Sequence, residues 1–380
     1  MWVTVAINMI GFGIVIPILP LYAKRFHASS FEATLLIAVY SAAALLFSPV
    51  WGRVSDRIGR RPVLLVSLVG TTVGSLLTGM AGGLVILFIG RIIDGASGST
   101  VSVAQATVGD LATAEDRPRL FGLLGAAFGL GFVAGPAIGA LAALAGPRVP
   151  FYVAAGVAGT NALVAFRRLP ETRHAAADRP AEPSQLRGSG LAPLLLVSFC
   201  ALTAFSAFEA TLAIFGHRHF GLGIGSSAAT FAVVGVALVG VQGGLVRPLV
   251  GRVGEERILA AGLGADVAGL VLLALARGWV LAVPALAALT VGQALVQTTM
   301  ASTLSGRVGA DRRGQLLGLQ QSAGGLGRVV GPALGGALLG SSASGAPYFL
   351  GAGLCAVALV ALQASRWSAV QSATAHVTLK

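Results

Sequence analysis

Charged side chains are scarce in this chain. They make up 11% of its 380 residues, against about a quarter in a typical soluble domain. So few charges cannot cover a soluble surface of this size, which excludes an ordinary water-soluble fold. Lysine is nearly missing: only Lys24 and Lys380 stand among the 26 basic residues. Cysteine is limited to Cys200 and Cys355, both inside apolar runs. A disulfide framework and a thiolate zinc site are therefore not expected, and both cysteines read as packing residues. The sequence shows no GxxxxGK[ST] phosphate cradle, which argues against ATP-driven pumping. No loop carries a nucleophile with a base, so no enzymatic activity is expected. The "HRH" at His217–His219 has no second ligand cluster, so no metal is expected there. The first apolar run starts at the second residue without a basic leader, and reads as a retained span rather than a signal peptide.

What is abundant is apolar surface and glycine. Hydrophobic residues make up 55% of the chain, and glycines number 53. Ala33–Val50 carries no charge, and Pro62–Gly90 carries none either. A hydrocarbon core of about 30 Å is crossed by about 20 apolar residues in a helix, so these runs are long enough. Glycine at this level suits helices that pack closely in lipid. The formal net charge of +12 would suggest nucleic acid in a soluble protein. Here the cations lie between apolar spans rather than on one face, so the expected partner is the lipid bilayer and not a nucleic acid.

The apolar runs predict an all-α integral membrane protein of twelve helices, because backbone polar groups in lipid must be paired within the segment. The expected spans are 2–23, 33–52, 62–81, 84–105, 119–142, 149–167, 191–215, 225–248, 257–277, 279–301, 314–339 and 345–366. Of the 26 basic residues, nineteen fall after the even-numbered spans and at the C-terminus. Five fall on the other side (Lys24, Arg25, Arg148, Arg218 and Arg277), and Arg91 and Arg328 lie within spans. The positive-inside rule makes the richer side cytoplasmic, with both termini inside. The Pro- and charge-rich segment 168–190 reads as a cytoplasmic linker. It separates a six-helix bundle at 1–167 from a second at 191–366, followed by a cytoplasmic tail at 367–380.

The two halves repeat. "GLLGAAFGLGFVAGPAIGA" at Gly122–Ala140 aligns with "GLQQSAGGLGRVVGPALGG" at Gly318–Gly336, 196 residues later. Gly131, Gly135, Pro136 and Gly139 of the first copy match Gly327, Gly331, Pro332 and Gly335 of the second. Two six-span repeats joined by a polar linker point to an internally duplicated transporter. The prolines each remove a helical hydrogen bond, and glycines four apart present a smooth face. Two readings stand: plain packing faces, or pliable spans that let the halves rock.

Several motifs resemble the major facilitator superfamily, in the twelve-span drug:proton antiporter branch that includes tetracycline efflux proteins. "GRVSDRIGRRP" at Gly52–Pro62 is similar to that family's loop between spans 2 and 3. "RIIDGASG" at Arg91–Gly98 resembles its span 4 motif, the first Gly-Pro repeat its antiporter span 5 motif, and "GFGIVIPILP" at Gly11–Pro20 its first span. The resemblance implies two pseudo-symmetric six-helix bundles, alternating access, protons as the coupling ion, no cofactor, a small-molecule substrate and a monomer. It implies a cytoplasmic latch made by Gly52, Asp56, Arg57, Gly59, Arg60 and Arg61, in which the two glycines allow close backbone approach and a tight turn. The matching loop at Gly251–Arg257 has Gly251 opposite Asp56, so the latch is expected on one half only.

Acids within spans are costly to bury and mark sites. There are three: Asp94, Glu209 and Asp266. By the resemblance, Glu209 in span 7 and Asp94 in span 4 face a central cavity, while Asp266 in span 9 is a peripheral, hydrogen-bonded helix contact. Glu209 has no basic residue within a helical turn in sequence. It reads either as the acid that takes up and releases the coupling proton or as a carboxyl that stays neutral throughout. Asp94 follows Arg91 by three residues and shares its helix face. The two either neutralise each other or exchange that pairing for a proton. Tetracycline efflux proteins carry an acid just before the "GxGxxxPxxP" stretch, where this chain has Asn8. Asn8, Gln293 and Gln297 are expected as polar cavity residues, and Phe12, Phe205 and Phe208 as aromatic surfaces for a flat substrate. The expected activity is proton-coupled export of amphipathic drug-like molecules. The alternatives are an exporter of sugars or metabolites, and a membrane sensor or scaffold without transport.

Overall fold

The computed structural model describes residues 2–98, 100–111, 117–169, 191–305, 313–340 and 344–378. Most of the segment read as a linker, 170–190, lies outside the described residues. Every described element is helical. In the N-terminal half these are α1 (Trp2–Val15), α2 (Leu19–Lys24), α3 (Ser30–Ile58), α4 (Arg60–Gly79), α5 (Leu84–Ala96), α6 (Thr100–Leu111), α7 (Arg117–Leu144) and α8 (Val149–Arg168). The C-terminal half has α9 (Ala192–Phe220), α10 (Ile224–Val241), a π-helical turn at Gln242–Val246, α11 (Arg247–Val253), α12 (Glu255–Leu275), α13 (Trp279–Ser305), α14 (Arg313–Leu339) and α15 (Ala346–Thr378).

All twelve predicted runs are helical, and among the described residues ten stretches are long and apolar enough to cross a membrane. The two that fall short have local reasons. The fourth run is divided at Ser97 and Gly98 into α5 and α6, each too short alone. The eleventh, α14, is 27 residues long, but Gln, Ser and Arg328 dilute its apolar content. The first run is also broken, at Pro17 between α1 and α2. The segment read as a separate tail from 367 continues α15 as far as Thr378. It contains no Gly or Pro to stop the helix.

Sequence chemistry explains the turns. Ser29 and Glu32 form a capping box at the start of α3: Ser29 Oγ accepts from Glu32 N at 3.1 Å, and Glu32 Oε2 accepts from Ser29 N at 2.7 Å. Gly59, between α3 and α4, has φ 107°, and Gly254, between α11 and α12, has φ 89°. Only glycine adopts such angles without strain. The same turn therefore recurs in both halves.

The chain divides into two compact units, Met1–Ala181 with Glu209–Val236, and Glu182–Phe208 with Ala237–Lys380. In the first, α1 packs on α7 and α8, and α4 on α5 and α8. In the second, α12 packs on α13 and α15. The Gly-Pro repeats line tight seams. A Cβ on Gly131 would stand 2.5 Å from Met9 Cβ, and one on Gly135 2.6 Å from Gly13 Cα. In the second copy, a Cβ on Gly327 would stand 2.9 Å from Thr203 N, and one on Gly331 would collide with Ser206 and Thr203. Gly139 approaches Ile14 and Ile18 in the same way, and Gly335 is buried. Pro136 and Pro332 sit inside continuous helices, α7 and α14.

Candidate functional site

Among the described residues, each unit holds one buried carboxyl in a helix–helix seam. In the first unit, α5 carries Arg91 and Asp94 three residues apart. Arg91 Nη1 and Asp94 Oδ2 are 3.0 Å apart, and the two residues are 3% and 7% exposed. The pair is held from neighbouring helices. Arg91 Nη2 donates to Thr78 Oγ1 at 3.1 Å, and the Thr71 side chain hydrogen-bonds Asp94. The Arg91 guanidinium lies 5.9 Å from the centre of the Tyr40 ring on α3. α4 comes this close because Gly74 has no side chain: a Cβ there would stand 2.7 Å from Asp94 Cβ. A buried ion pair is tolerated when hydrogen bonds complete its shell, and here only Arg91 Nε lacks a partner among the described residues. Small-residue surroundings thus let Asp94 pack against α4.

In the second unit, Asp266 on α12 is 5% exposed. It borders a cavity with Phe205, Phe208, Leu270, Gln293 and Cys355. The cavity measures about 10 Å³, about one water in size, too small for an organic substrate in this conformation. A Cβ on Gly292 of α13 would collide with the Asp266 carboxylate, so glycine makes the room. Among the described residues no cation lies within ion-pair reach of Asp266. Asp266 thus lies in the α12–α13 contact, beside this small cavity.

The other candidates separate. Gln293 lines the Asp266 cavity and is 4% exposed, whereas Gln297, one turn on, is exposed and accepts from Gln242 Nε2 at 3.5 Å. Phe205 and Phe208 stand 6.1 Å apart at that cavity, and Phe12 stands 5.5 Å from Tyr40. Glu209 is half-buried on α9, between the buried Phe208 and Ala210. Asn8 on α1 has a buried Oδ1 without a hydrogen-bond partner among the described residues.

The loop motif closes on itself. Arg60 Nη1 lies 2.7 Å from Asp56 Oδ1 and 2.5 Å from Ser55 Oγ. Arg61 Nη2 donates to the Phe166 carbonyl at 2.6 Å, tying the turn to the end of α8. Gly59 makes the turn as expected. Gly52 does not serve close approach: a Cβ there would meet nothing within 4 Å. Arg57 is exposed.

Sequence reasoning missed the residues that hold the buried groups. Tyr40, Thr71 and Thr78 carry no signal, since single hydroxyls are common in apolar helices. Asn161 did carry one, as an amide inside the sixth run. It is buried on α8, and its Nδ2 donates to the Thr4 carbonyl at 2.8 Å.

Comparison with known proteins agrees with this architecture. Residues 1–332 match the Major Facilitator Superfamily. The chain is 35% identical to the class C tetracycline resistance protein of Escherichia coli, over 97% of each chain. It is 26% identical to multidrug resistance protein 2 of Bacillus subtilis, over 87% of this chain and 86% of that one. Among solved structures, the human organic anion transporter MFSD10 (TETRAN) superposes with a TM-score of 0.74 at 23% identity, covering 95% of this chain and 97% of that one. The nucleoside transporter NupG, as its D323A mutant, superposes at 0.79 with 13% identity, covering 96% and 98%. Those two likenesses concern the fold. With the family matched across most of its length and twelve helical runs in two repeats, this chain is a multi-pass membrane protein that belongs to the Major Facilitator Superfamily.

Proposed function

We propose that the protein is a secondary transporter that exports amphipathic, drug-like small molecules in exchange for protons, by alternating access. The observation that carries this reading is the 35% identity to a tetracycline resistance protein over 97% of both chains. The acids within the spans supply a physical basis, because an acid is costly to bury in lipid-spanning helices and marks a functional site. Glu209 and Asp266 are the acids that load and release the proton. The Arg91–Asp94 pair holds α5 against α3 and α4, and the Asp56–Arg60 pair fixes the cytoplasmic turn. Asn8 replaces the acid of tetracycline efflux proteins in span 1, so coupling here runs through the acids of spans 7 and 9, and the substrate range includes compounds other than tetracycline. The protein works as a monomer in a bacterial inner membrane, with both termini cytoplasmic, without cofactor, enzymatic activity or nucleic acid.

Everted vesicles carrying the protein test this reading. Respiration acidifies their interior, and a pH-quenched dye reports proton exit. Amphipathic cations, tetracyclines and neutral drugs are added in turn. Compound-dependent dequenching that Glu209→Gln abolishes is the expected result. Folded wild-type protein that dequenches with none of the panel overturns proton-coupled drug export.

A further inference from the structure

Cations on the outer side run against the positive-inside bias, and the charge count leaves only five there. Three of them, Lys24, Arg25 and Arg218, line a single cavity in the first unit, with His217 beside them. The cavity measures about 590 Å³; Leu21, Ile214 and Ile224 supply its apolar walls, and no acid contributes to its lining. Two of these cations converge on one atom. Lys24 Nζ donates to Ser30 Oγ at 3.2 Å, and Arg218 Nη2 donates to the same oxygen at 2.7 Å. Ser30 is buried in the first turn of α3. Two positive groups that share one neutral oxygen repel each other, and apolar walls strengthen that repulsion. His217 adds a polar edge. Its Nδ1 lies 2.8 Å from the Leu222 carbonyl, which can only accept, so Nδ1 carries the proton and Nε2 remains as the second polar atom. Glu32, the acid nearest in sequence, bonds Ser29 in the capping box and offsets part of the Lys24 charge without lining the cavity.

We propose that this cavity is a binding site for an anion, a phosphate or carboxylate group, held by Lys24, Arg25 and Arg218. An anion seated there relieves the repulsion between Lys24 and Arg218. It also takes charge-assisted bonds from the arginine fork and the lysine. Its placement on the outer side rests on the orientation proposed above; the binding chemistry does not. Two sources carry such a group: the headgroup of an anionic lipid, and a free anion entering from outside.

The test uses the purified full chain in two arms. In neutral detergent, inorganic phosphate is titrated at constant ionic strength against chloride, and the melting temperature is followed by tryptophan fluorescence. In phosphatidylcholine nanodiscs with or without phosphatidylglycerol, retained lipid is read by native mass spectrometry. We expect saturable stabilisation by phosphate, retention of phosphatidylglycerol, or both. The first alone assigns a free anion, and the second alone assigns a lipid headgroup. The double change Lys24→Gln with Arg218→Gln is expected to weaken binding about a hundredfold, and Arg25→Gln about tenfold, as loss of charge-assisted contacts predicts. Lys24→Arg keeps the charge and is expected to keep binding, which separates charge from folding. No binding of either probe to folded wild-type protein overturns the proposal, as does a folded double variant that binds like the wild type. Proton-linked export is read separately in the vesicle assay, so either reading can fail alone.

Discussion

The two units solve one packing problem with different charges. In the first, a Cβ on Gly74 would stand 2.7 Å from the Gly90 carbonyl; in the second, a Cβ on Gly269 would stand 2.9 Å from the Ala285 carbonyl. These are equivalent positions of the internal repeat, and the seam α4–α5 recurs as α12–α13. The charges around it do not recur. Where the first unit has Arg91 and Asp94, the second has Leu286 and Leu289. Where the first has Thr71, the second has Asp266. The second unit carries its carboxyl on the facing helix, with leucines at the positions of Arg91 and Asp94. Duplication preserved the backbone contact, which glycine geometry dictates. It left the buried charge open to divergence, since several side-chain arrangements fit one seam. A carboxyl tied to an arginine is a structural fastener. One without a cation, beside a small cavity, is in a position to exchange a proton.

The largest expected effect breaks this contrast at the fastener. Arg91→Ala leaves Asp94 buried without its cation, a loss of about 3–5 kcal/mol. The folded yield and the melting temperature should fall together, and adding Asp94→Leu should restore most of both. Failure of the second change to restore folding would mean that Arg91 acts through Tyr40 and Thr78 rather than through Asp94. Next comes Asp266→Asn. It should leave the melting temperature at or above the wild-type value, because an unpaired buried acid is replaced by a neutral amide. Compound-dependent proton exit should fall by about tenfold or more, the scale of one lost proton-transfer group. Normal transport by this variant would reduce Asp266 to a packing residue.

The shared seam gives a smaller effect that sharpens the comparison. Gly74→Val and Gly269→Val overpack equivalent contacts, so each should destabilise its unit by about 1–3 kcal/mol, read as loss of thermal stability. A large effect in one unit alone would show that the seams are not equivalent. The smallest effects lie at the loop. Asp56→Asn removes an ion pair whose acid is 63% exposed, so stability should change by less than about 1 kcal/mol while turnover in the vesicle assay slows. Gly59→Ala should cost about 1 kcal/mol at its positive φ, whereas Gly52→Ala should be silent by melting temperature.

Particular residues show how far the sequence reaches. The run from Pro62 to Gly90, free of charge, foretold α4 and the start of α5, because run length is a local property that the bilayer reads directly. Gly59 foretold its turn, because positive φ is a property of one residue. Spacing alone foretold that Arg91 and Asp94 would meet, because residues three apart share a helix face. Asp266 was legible as an acid within its helix, but nothing along the chain says that Gly292 of α13 and a small cavity stand beside it. Gly52 misled for a related reason, since a glycine in a motif does not say whether anything lies opposite it.

The sequence by itself determined the membrane-spanning class, the number of helical runs, the internal repeat and which acids lie within the spans. Each of these follows from hydropathy and spacing along one strand of chain. Only the tertiary structure decided that Asp94 is fastened and Asp266 is not, that Gln293 faces a cavity while Gln297 is exposed, and that Lys24 and Arg218 meet at Ser30. Those outcomes depend on which helix stands opposite. That is set by glycine seams joining residues more than a hundred positions apart, such as Gly13 with Gly131 and Thr203 with Gly327.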